Sequence, residues 1–222
     1  MTIHVLVEGS SERAFLEGWS ARLLSGHPVR VHPHQGKGSL PAVLEAAPDP
    51  KRRGLLDLLP ATLRGYAEAL DSTKDGVIVL VDADDDDPVL LHATIAEAVA
   101  SVAPSLRVIV SIAVEETEAF YLGDLKGLLK AFPEADMNLA RTYEPDSICG
   151  TAELFGRVVR DGGNNKVAWA EAMAPCLTTV PARSRSPSFK SLVASMTGLL
   201  PKKAAAAKRR RKYRHVARTA RN

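Results

Sequence analysis

Short apolar runs along the chain alternate with stretches in which apolar residues recur at helical spacing. The runs at 3–7, 29–32, 77–81 and 106–114 predict strands, and Val-Ile-Val-Leu-Val at 77–81 is typical of a central strand buried on both faces. Helical spacing predicts helices at 10–24, 51–70, 88–102, 151–159, 166–173 and 188–199, with a further helix starting within 115–122. This alternation predicts an α/β fold with a mainly parallel central sheet flanked by helices.

Other stretches are less regular. A helical region is expected from Leu40, interrupted near 48–50, and Pro60 is expected to bend or divide the helix at 51–70. Residues 132–149 show no clear period and are interpreted as a loop or a boundary. We therefore expect three segments: an α/β domain at 1–131, a C-terminal helical extension packed on it at 132–201, and a tail at 202–222.

The tail changes the electrostatic picture of the chain. It holds ten of the 29 basic residues and no acidic one, so residues 1–201 carry a formal net charge of −7. Such asymmetry predicts an anionic partner, and counterion release from phosphates would make binding strong and sensitive to salt. We expect nucleic acid to contact Lys208, Arg209, Arg210, Arg211, Lys212 and Arg214. The alternative is a disordered, solubilising end.

The expected cellular compartment follows from features that the sequence does not contain. The two cysteines, Cys149 and Cys176, form neither a disulfide framework nor a zinc-binding spacing. No segment approaches the ~20 consecutive apolar residues that would cross a bilayer, and the first residues do not have the pattern of a signal peptide. We therefore expect a soluble, cytoplasmic protein without a membrane partner.

Acidic residues stand where two predicted strands end. Glu8 follows the first strand, and Asp82 and Asp84 follow the central one. In open α/β sheets, ligands bind outside the carboxyl ends of the strands, and carboxylate oxygens suit Mg²⁺ or Mn²⁺. The alternative is that these acids cap the next helix or are solvated, as is common in Asp-rich turns.

Two segments that contain these acids resemble the paired signature of Toprim domains. They are residues 7–12, VEGSSE, and residues 81–84, VDAD. Toprim domains occur in topoisomerases, bacterial primases and nucleases of the overcoming-lysogenization-defect type. The chain is more similar still to the Toprim-like family DUF4276, over about residues 3–200. That resemblance adds GKG at 36–38, EETEAFYL at 115–122, Lys166 and SPSF at 186–189, with Phe120-Tyr121 where Trp is frequent.

The resemblance implies a Toprim-like metal site. Glu8 would be a metal ligand or a general acid/base, and Asp82 and Asp84 would hold Mg²⁺. Glu118 would supply a further catalytic acid; Glu115 and Glu116 are rivals for that role, and a capping or surface role for all three remains open.

Two lysines are candidates for contact with phosphate. Lys166 would approach the phosphate as in the related nucleases, the alternative being an ordinary exposed lysine after a turn. Lys37, in the GKG turn, would contact nucleic acid if the turn lies near the site.

The leading functional hypothesis is a Mg²⁺-dependent nuclease, a phosphodiesterase or endonuclease that uses water as the nucleophile. The resemblance further implies an effector of anti-phage defence. The chain has no Walker motif, so ATP dependence would come from a partner ATPase of the AAA or ABC type encoded alongside. The alternative is a non-catalytic protein that binds nucleic acid or a partner through a vestigial or structural metal site. Phosphotransfer on an aspartate is a third reading, disfavoured because no correctly placed lysine follows a late strand.

Overall fold

The structure, a computed structural model, describes residues 1–148, 150–162 and 164–201. The strands within these ranges are β1 (Thr2–Val7), β2 (Val29–Pro33), β3 (Asp75–Asp82) and β4 (Val108–Ala113). The helices are α1 (Ser10–Leu23), α2 (Leu55–Ala69), α3 (Pro88–Val102), α4 (Glu118–Gly123), α5 (Leu125–Ala131), α6 (Met137–Thr142), α7 (Thr151–Val159), α8 (Lys166–Met173) and α9 (Pro187–Gly198). A single 3-10 turn, Pro181–Arg183, precedes α9.

The strands form one parallel sheet in the order β2-β1-β3-β4. Strands β1 and β3 are neighbours in the centre, with Leu6 opposite Val79. Because all strands run in the same direction, the loops that follow β1, β3 and β4 emerge at one edge of the sheet. The predicted α/β fold with a parallel sheet and flanking helices is confirmed.

The side chains of β3 alternate between two hydrophobic layers, as a strand covered on both faces requires. Ile78 and Leu80 face the layer that contains α1 and the C-terminal helices. Val77, Val79 and Val81 face the layer formed with α2 and α3. Each apolar side chain buried in this way stabilises the fold by about 1.5–3 kcal/mol before the entropic cost of ordering it.

The C-terminal helices share a core with the sheet. Phe189 of α9 lies 5.3 Å, centroid to centroid, from Trp19 of α1, and Phe155 of α7 lies 5.2 Å from Trp169 of α8. All four side chains belong to the same buried cluster as Ile78. Aromatic pairs at such distances add about 0.5–1.5 kcal/mol each beyond their burial.

Three expectations about local structure are wrong. No helix forms in residues 40–54; this segment contains three prolines, and the Arg64 side chain satisfies the carbonyls of Leu44 and Ala46. Helix α2 starts at Leu55 and continues through Pro60 without being divided. The stretch 132–149 is not all loop, since α6 lies within it.

The tail at 202–222 lies outside the described residues, and the contacts predicted for it stay predictions. Among the described helices, none combines the length and the apolar character needed to span a bilayer.

Candidate metal centre

The first carboxylate of the site is held at the carboxyl edge of the sheet by the pairing of β1 with β3. Glu8 directly follows β1, and its Oε1 accepts a hydrogen bond of 2.9 Å from the backbone N–H of Asp82, the last residue of β3. The pKa of Glu8 is raised to about 7, chiefly by burial; this hydrogen bond opposes the shift and the nearby Asp84 adds to it.

Asp82 is a buried carboxylate at the end of β3. It is 8% exposed, and within the described residues its Oδ1 has no hydrogen-bond partner. Burial raises its pKa well above the usual range, and the negative charges of Glu12 and Glu8 raise it further. An ionised carboxylate without a partner in such a place is costly unless a cation or a proton balances it.

Glu118 approaches the same point from the loop after β4. It is the first residue of α4, a short helix that is buried along its whole length, and is itself only 1% exposed. Burial raises its pKa to about 7; the ammonium of Lys166 opposes the shift, while Glu116 reinforces it. Glu118 therefore lies among the acids that surround Asp82.

Lys166 is not an ordinary exposed lysine. From the first turn of α8, its Nζ lies 2.5 Å from Oε1 of Glu116. Burial alone would lower its pKa, but Glu118 and Glu116 outweigh that effect and raise the pKa to about 12. Lys166 is a permanent positive charge beside the acidic cluster.

Glu115 and Glu116 hold the start of α7 in place. The carboxylate of Glu115 accepts hydrogen bonds from the N–H groups of Gly150 (2.7 Å) and Thr151 (3.2 Å) and from the Thr151 hydroxyl. Oε2 of Glu116 accepts from the N–H of Ala152 at 2.9 Å. These are N-terminal N–H groups that a helix cannot satisfy internally. Of the two rivals of Glu118, Glu115 is thus a helix-capping residue, and Glu116 combines capping with the ion pair to Lys166.

Asp84 lies on the solvent side of the site, paired with Lys37. Its backbone is left-handed, with φ of 50°, and its side chain is 53% exposed. Lys37 Nζ lies 3.1 Å from Asp84 Oδ2, 2.6 Å from Asp86 Oδ2 and 2.8 Å from the Ala83 carbonyl oxygen. The GKG turn therefore does lie near the site, but its lysine neutralises the acidic loop rather than projecting freely to solvent.

The remaining aspartates of this loop divide between capping and solvent. Oδ1 of Asp87 accepts from the N–H groups of Val89 (2.8 Å) and Leu90 (3.0 Å) and so caps α3. Pro88 at the first helical position needs no such partner. The capping interpretation thus holds for Asp87, and Asp85 is exposed.

Sequence reasoning missed Glu12 as a site residue. It lies four residues after Glu8, in the first turn of α1, and is only 6% exposed although it is a glutamate. The Ser11 hydroxyl donates to its Oε1 at 2.7 Å. Gly9 makes room for it, since a Cβ at Gly9 would lie 3.3 Å from Glu12 Oε2. The acidic residue one turn into the helix after a strand-end glutamate is the sequence pattern that could have identified it.

We call Glu8, Glu12, Asp82, Glu116 and Glu118 the acidic cluster. Lys166 is in contact with it and Lys37 lies at its border. In the described ranges, no three His, Cys, Asp or Glu side chains are already arranged with the geometry of a metal ligand set. A divalent cation would therefore require some of these side chains to turn toward it. The unpaired Oδ1 of Asp82 is an oxygen that could accept such a cation.

Comparison with known proteins identifies a family that the chain matches. A family model described as "Domain of unknown function (DUF4276)" matches residues 7–197 of the chain. No curated protein and no solved structure matches it.

Proposed function

The chain belongs to the DUF4276 family, and from that premise and the acidic cluster we propose that it is a Toprim-like, Mg²⁺-dependent nuclease that hydrolyses the phosphodiesters of nucleic acid. The observation that carries the proposal is the buried, unpaired carboxylate of Asp82 among four further glutamates. Such an arrangement costs folding free energy, and a bound divalent cation would offset that cost.

Glu8, Asp82 and Asp84 are the residues that would hold the ion. They are hard oxygen donors at one edge of the sheet, which fits Mg²⁺ or Mn²⁺ better than a softer metal. When bound, the ion would neutralise charge on the phosphate and favour attack by water. Glu118 and Glu8, with pKa values of about 7, can each take or give a proton near neutral pH. Lys166, which is paired with Glu116 of the cluster, would offer the phosphate a positive charge.

The physiological setting is proposed from the resemblance to nucleases of the overcoming-lysogenization-defect type. It is an effector role in anti-phage defence, in the cytoplasm, with an AAA- or ABC-type ATPase as partner. This setting is proposed from the likeness of motifs.

The alternative is a non-catalytic protein that binds nucleic acid or a partner. One observation favours it: Lys37 already pairs with Asp84 and Asp86, so part of the acidic loop is neutralised without a metal. In this alternative, the metal site would be vestigial or structural.

The test is cleavage of end-labelled DNA and RNA, single- and double-stranded, with Mg²⁺ or Mn²⁺. We expect metal-dependent cleavage by the wild type and a loss of at least about 100-fold in Asp82→Asn, since that change removes the buried charge and keeps the shape. Asp85→Asn is the matched control, because it removes an exposed carboxylate from the same loop and should keep wild-type activity.

The assay is repeated with the ATPase encoded beside the gene, if one is present. Absence of cleavage by every protein, with and without that ATPase and ATP, would contradict the nuclease proposal and favour the binding protein.

A further inference from the structure

An open groove of about 570 Å³ lies between α7 and α8. This volume falls within the range of about 300–1,000 Å³ that is usual for ligand sites in proteins. Its lining includes the apolar surfaces of Ala152, Gly156 and Trp169 and the polar side chains of Arg157, Arg160 and Asn164. A surface that is apolar in part and carries two guanidinium groups suits a ligand with flat rings and negative charges.

The groove borders the acidic cluster. Ala152, which lines it, donates its backbone N–H to Glu116 at 2.9 Å. Trp169, which also lines it, lies less than one helical turn after Lys166, the ion-pair partner of Glu116. A chain molecule that lies in the groove would therefore reach the side of the cluster where Lys166 stands.

Both arginines are exposed, and neither forms an ion pair within the described residues. Two acids, Asp161 and Glu153, also line the groove. Asp161 accepts a hydrogen bond of 2.8 Å from Trp169 Nε1. Glu153 lies in the first turn of α7, near Gly150. In a body with a formal net charge of −7, two exposed guanidinium groups that form no ion pair within the described residues indicate an anionic ligand.

The backbone of Arg160 is in a strained conformation. It ends α7 with left-handed backbone angles of φ 59° and ψ 29°, a conformation that favours glycine or asparagine. The N–H of the next residue, Asp161, bonds to the Gly156 carbonyl at 3.0 Å, as in a regular helix end. A strained arginine at a place where glycine would be more stable is an outlier that suggests a role for its side chain.

We propose that this groove binds the nucleic-acid strand on one side of the phosphate to be cleaved, with Arg157 and Arg160 on its phosphates and a base against the apolar lining. The identity of the ligand rests on the nuclease function proposed above. Arginine suits this role because its planar guanidinium group forms paired hydrogen bonds with phosphate oxygens.

The test is binding of a fluorescent strand of about 20 nucleotides, as DNA and as RNA, to the full chain in EDTA, measured by anisotropy over a range of salt concentrations. The variants are Arg157→Ala, Arg160→Gly and the pair together. Loss of one phosphate contact should reduce the magnitude of the slope of log binding constant against log salt concentration by about 0.7, and loss of both contacts should reduce it by about 1.4. Arg160→Gly also relieves the backbone strain, so weaker binding by this variant would not come from unfolding.

Arg141→Ala is the control, since it removes one exposed positive charge whose guanidinium group is bonded within its own helix to Asn138. An unchanged slope in the double variant would overturn the proposal that the strand binds in the groove, and so would a fall in slope of the same size in Arg141→Ala. Either result would leave the nuclease proposal intact. If the arginine variants lower the slope but no protein cleaves under any condition, the proposed strand binding in the groove would be supported and the nuclease proposal would be overturned. Absence of all nucleic-acid binding would overturn both.

Discussion

At the scale of single residues, the site is governed by carboxyl groups whose pKa values are raised by burial. Glu118 shows the principle most simply, because it is 1% exposed and its pKa lies near 7. Its folded-state pKa exceeds the value of 4.5 expected for an exposed glutamate. Between these two values, the folded chain therefore binds more protons at this residue than the unfolded chain does.

The free energy of unfolding should consequently fall as pH rises from about 4.5 to about 7, and this contribution should then level off. In metal-free buffer, Glu118→Gln should reduce this fall by up to about 3 kcal/mol, at about 1.4 kcal/mol per pKa unit. Urea unfolding of the wild type and of the variant at several pH values between 4.5 and 8 measures this fall in the free energy of unfolding. Glu134→Gln, which changes an exposed glutamate, is the control, and equal pH profiles for the two variants would contradict the assignment.

At the scale of elements, α7 is placed by the loop that follows β4. Glu115 and Glu116 supply acceptors for the first N–H groups of α7, and Glu118 begins α4 only two residues later. The same short loop therefore positions an acid of the cluster, the ion pair with Lys166 and the helix that borders the groove. A substitution that removes the cap of α7 should therefore also disturb the acid of the cluster and the ion pair with Lys166.

Glu115→Ala should lower the free energy of unfolding by about 1–3 kcal/mol, because it leaves buried N–H groups of α7 without acceptors. Alanine retains a Cβ, so the left-handed backbone of Glu115, with φ of 59°, remains as strained as before. Chemical denaturation measures the change. Glu153→Ala removes another acid from the same end of α7 without removing a cap and should cost only a few tenths of a kcal/mol. An effect of Glu153→Ala as large as that of Glu115→Ala would contradict this role.

At the scale of the whole molecule, the carboxylates come from residues 8–12, from the end of β3 and from residues 116–118, three segments that lie far apart in the sequence. A cation bound among them would link these elements, and a ligand that binds only the folded chain raises its stability. At a Mg²⁺ concentration 100 times the dissociation constant, the gain would be about 2.7 kcal/mol.

Mg²⁺ should thus raise the melting temperature of the wild type and of Asp85→Asn by several degrees at pH 7.5, and should have little effect on Asp82→Asn. Differential scanning fluorimetry with increasing Mg²⁺ measures the shift, with Na⁺ at matched ionic strength as the control. The same shift in all three proteins would show that the stabilisation does not involve Asp82. This readout does not depend on nuclease activity.

Much of the fold could be predicted from the chain because its patterns are local. The apolar run at 77–81 predicts β3, and the bounds of α3, α7 and α8 agree with those expected from helical spacing and from Pro88. The errors fall where local pattern competes with tertiary contacts. Residues 40–54 lack a helix, and two side chains of α2 bond backbone groups of that loop: Arg64 donates to the carbonyls of Leu44 and Ala46, and Asp57 accepts from the N–H of Gly54. Helix α2 tolerates Pro60, which is buried against the core.

The sequence by itself determined the order of the strands and of the longer helices and the acids at the strand ends, since these follow from the spacing of residues close together in the chain. Only the tertiary structure decided which acids meet. It buried Glu12 beside Asp82, turned Asp84 toward Lys37, and paired Lys166 with Glu116. These contacts join residues between 47 and 70 positions apart, and no local pattern encodes the packing that brings them together. The balance of charge at the site, and with it each pKa, is therefore a property of the folded molecule.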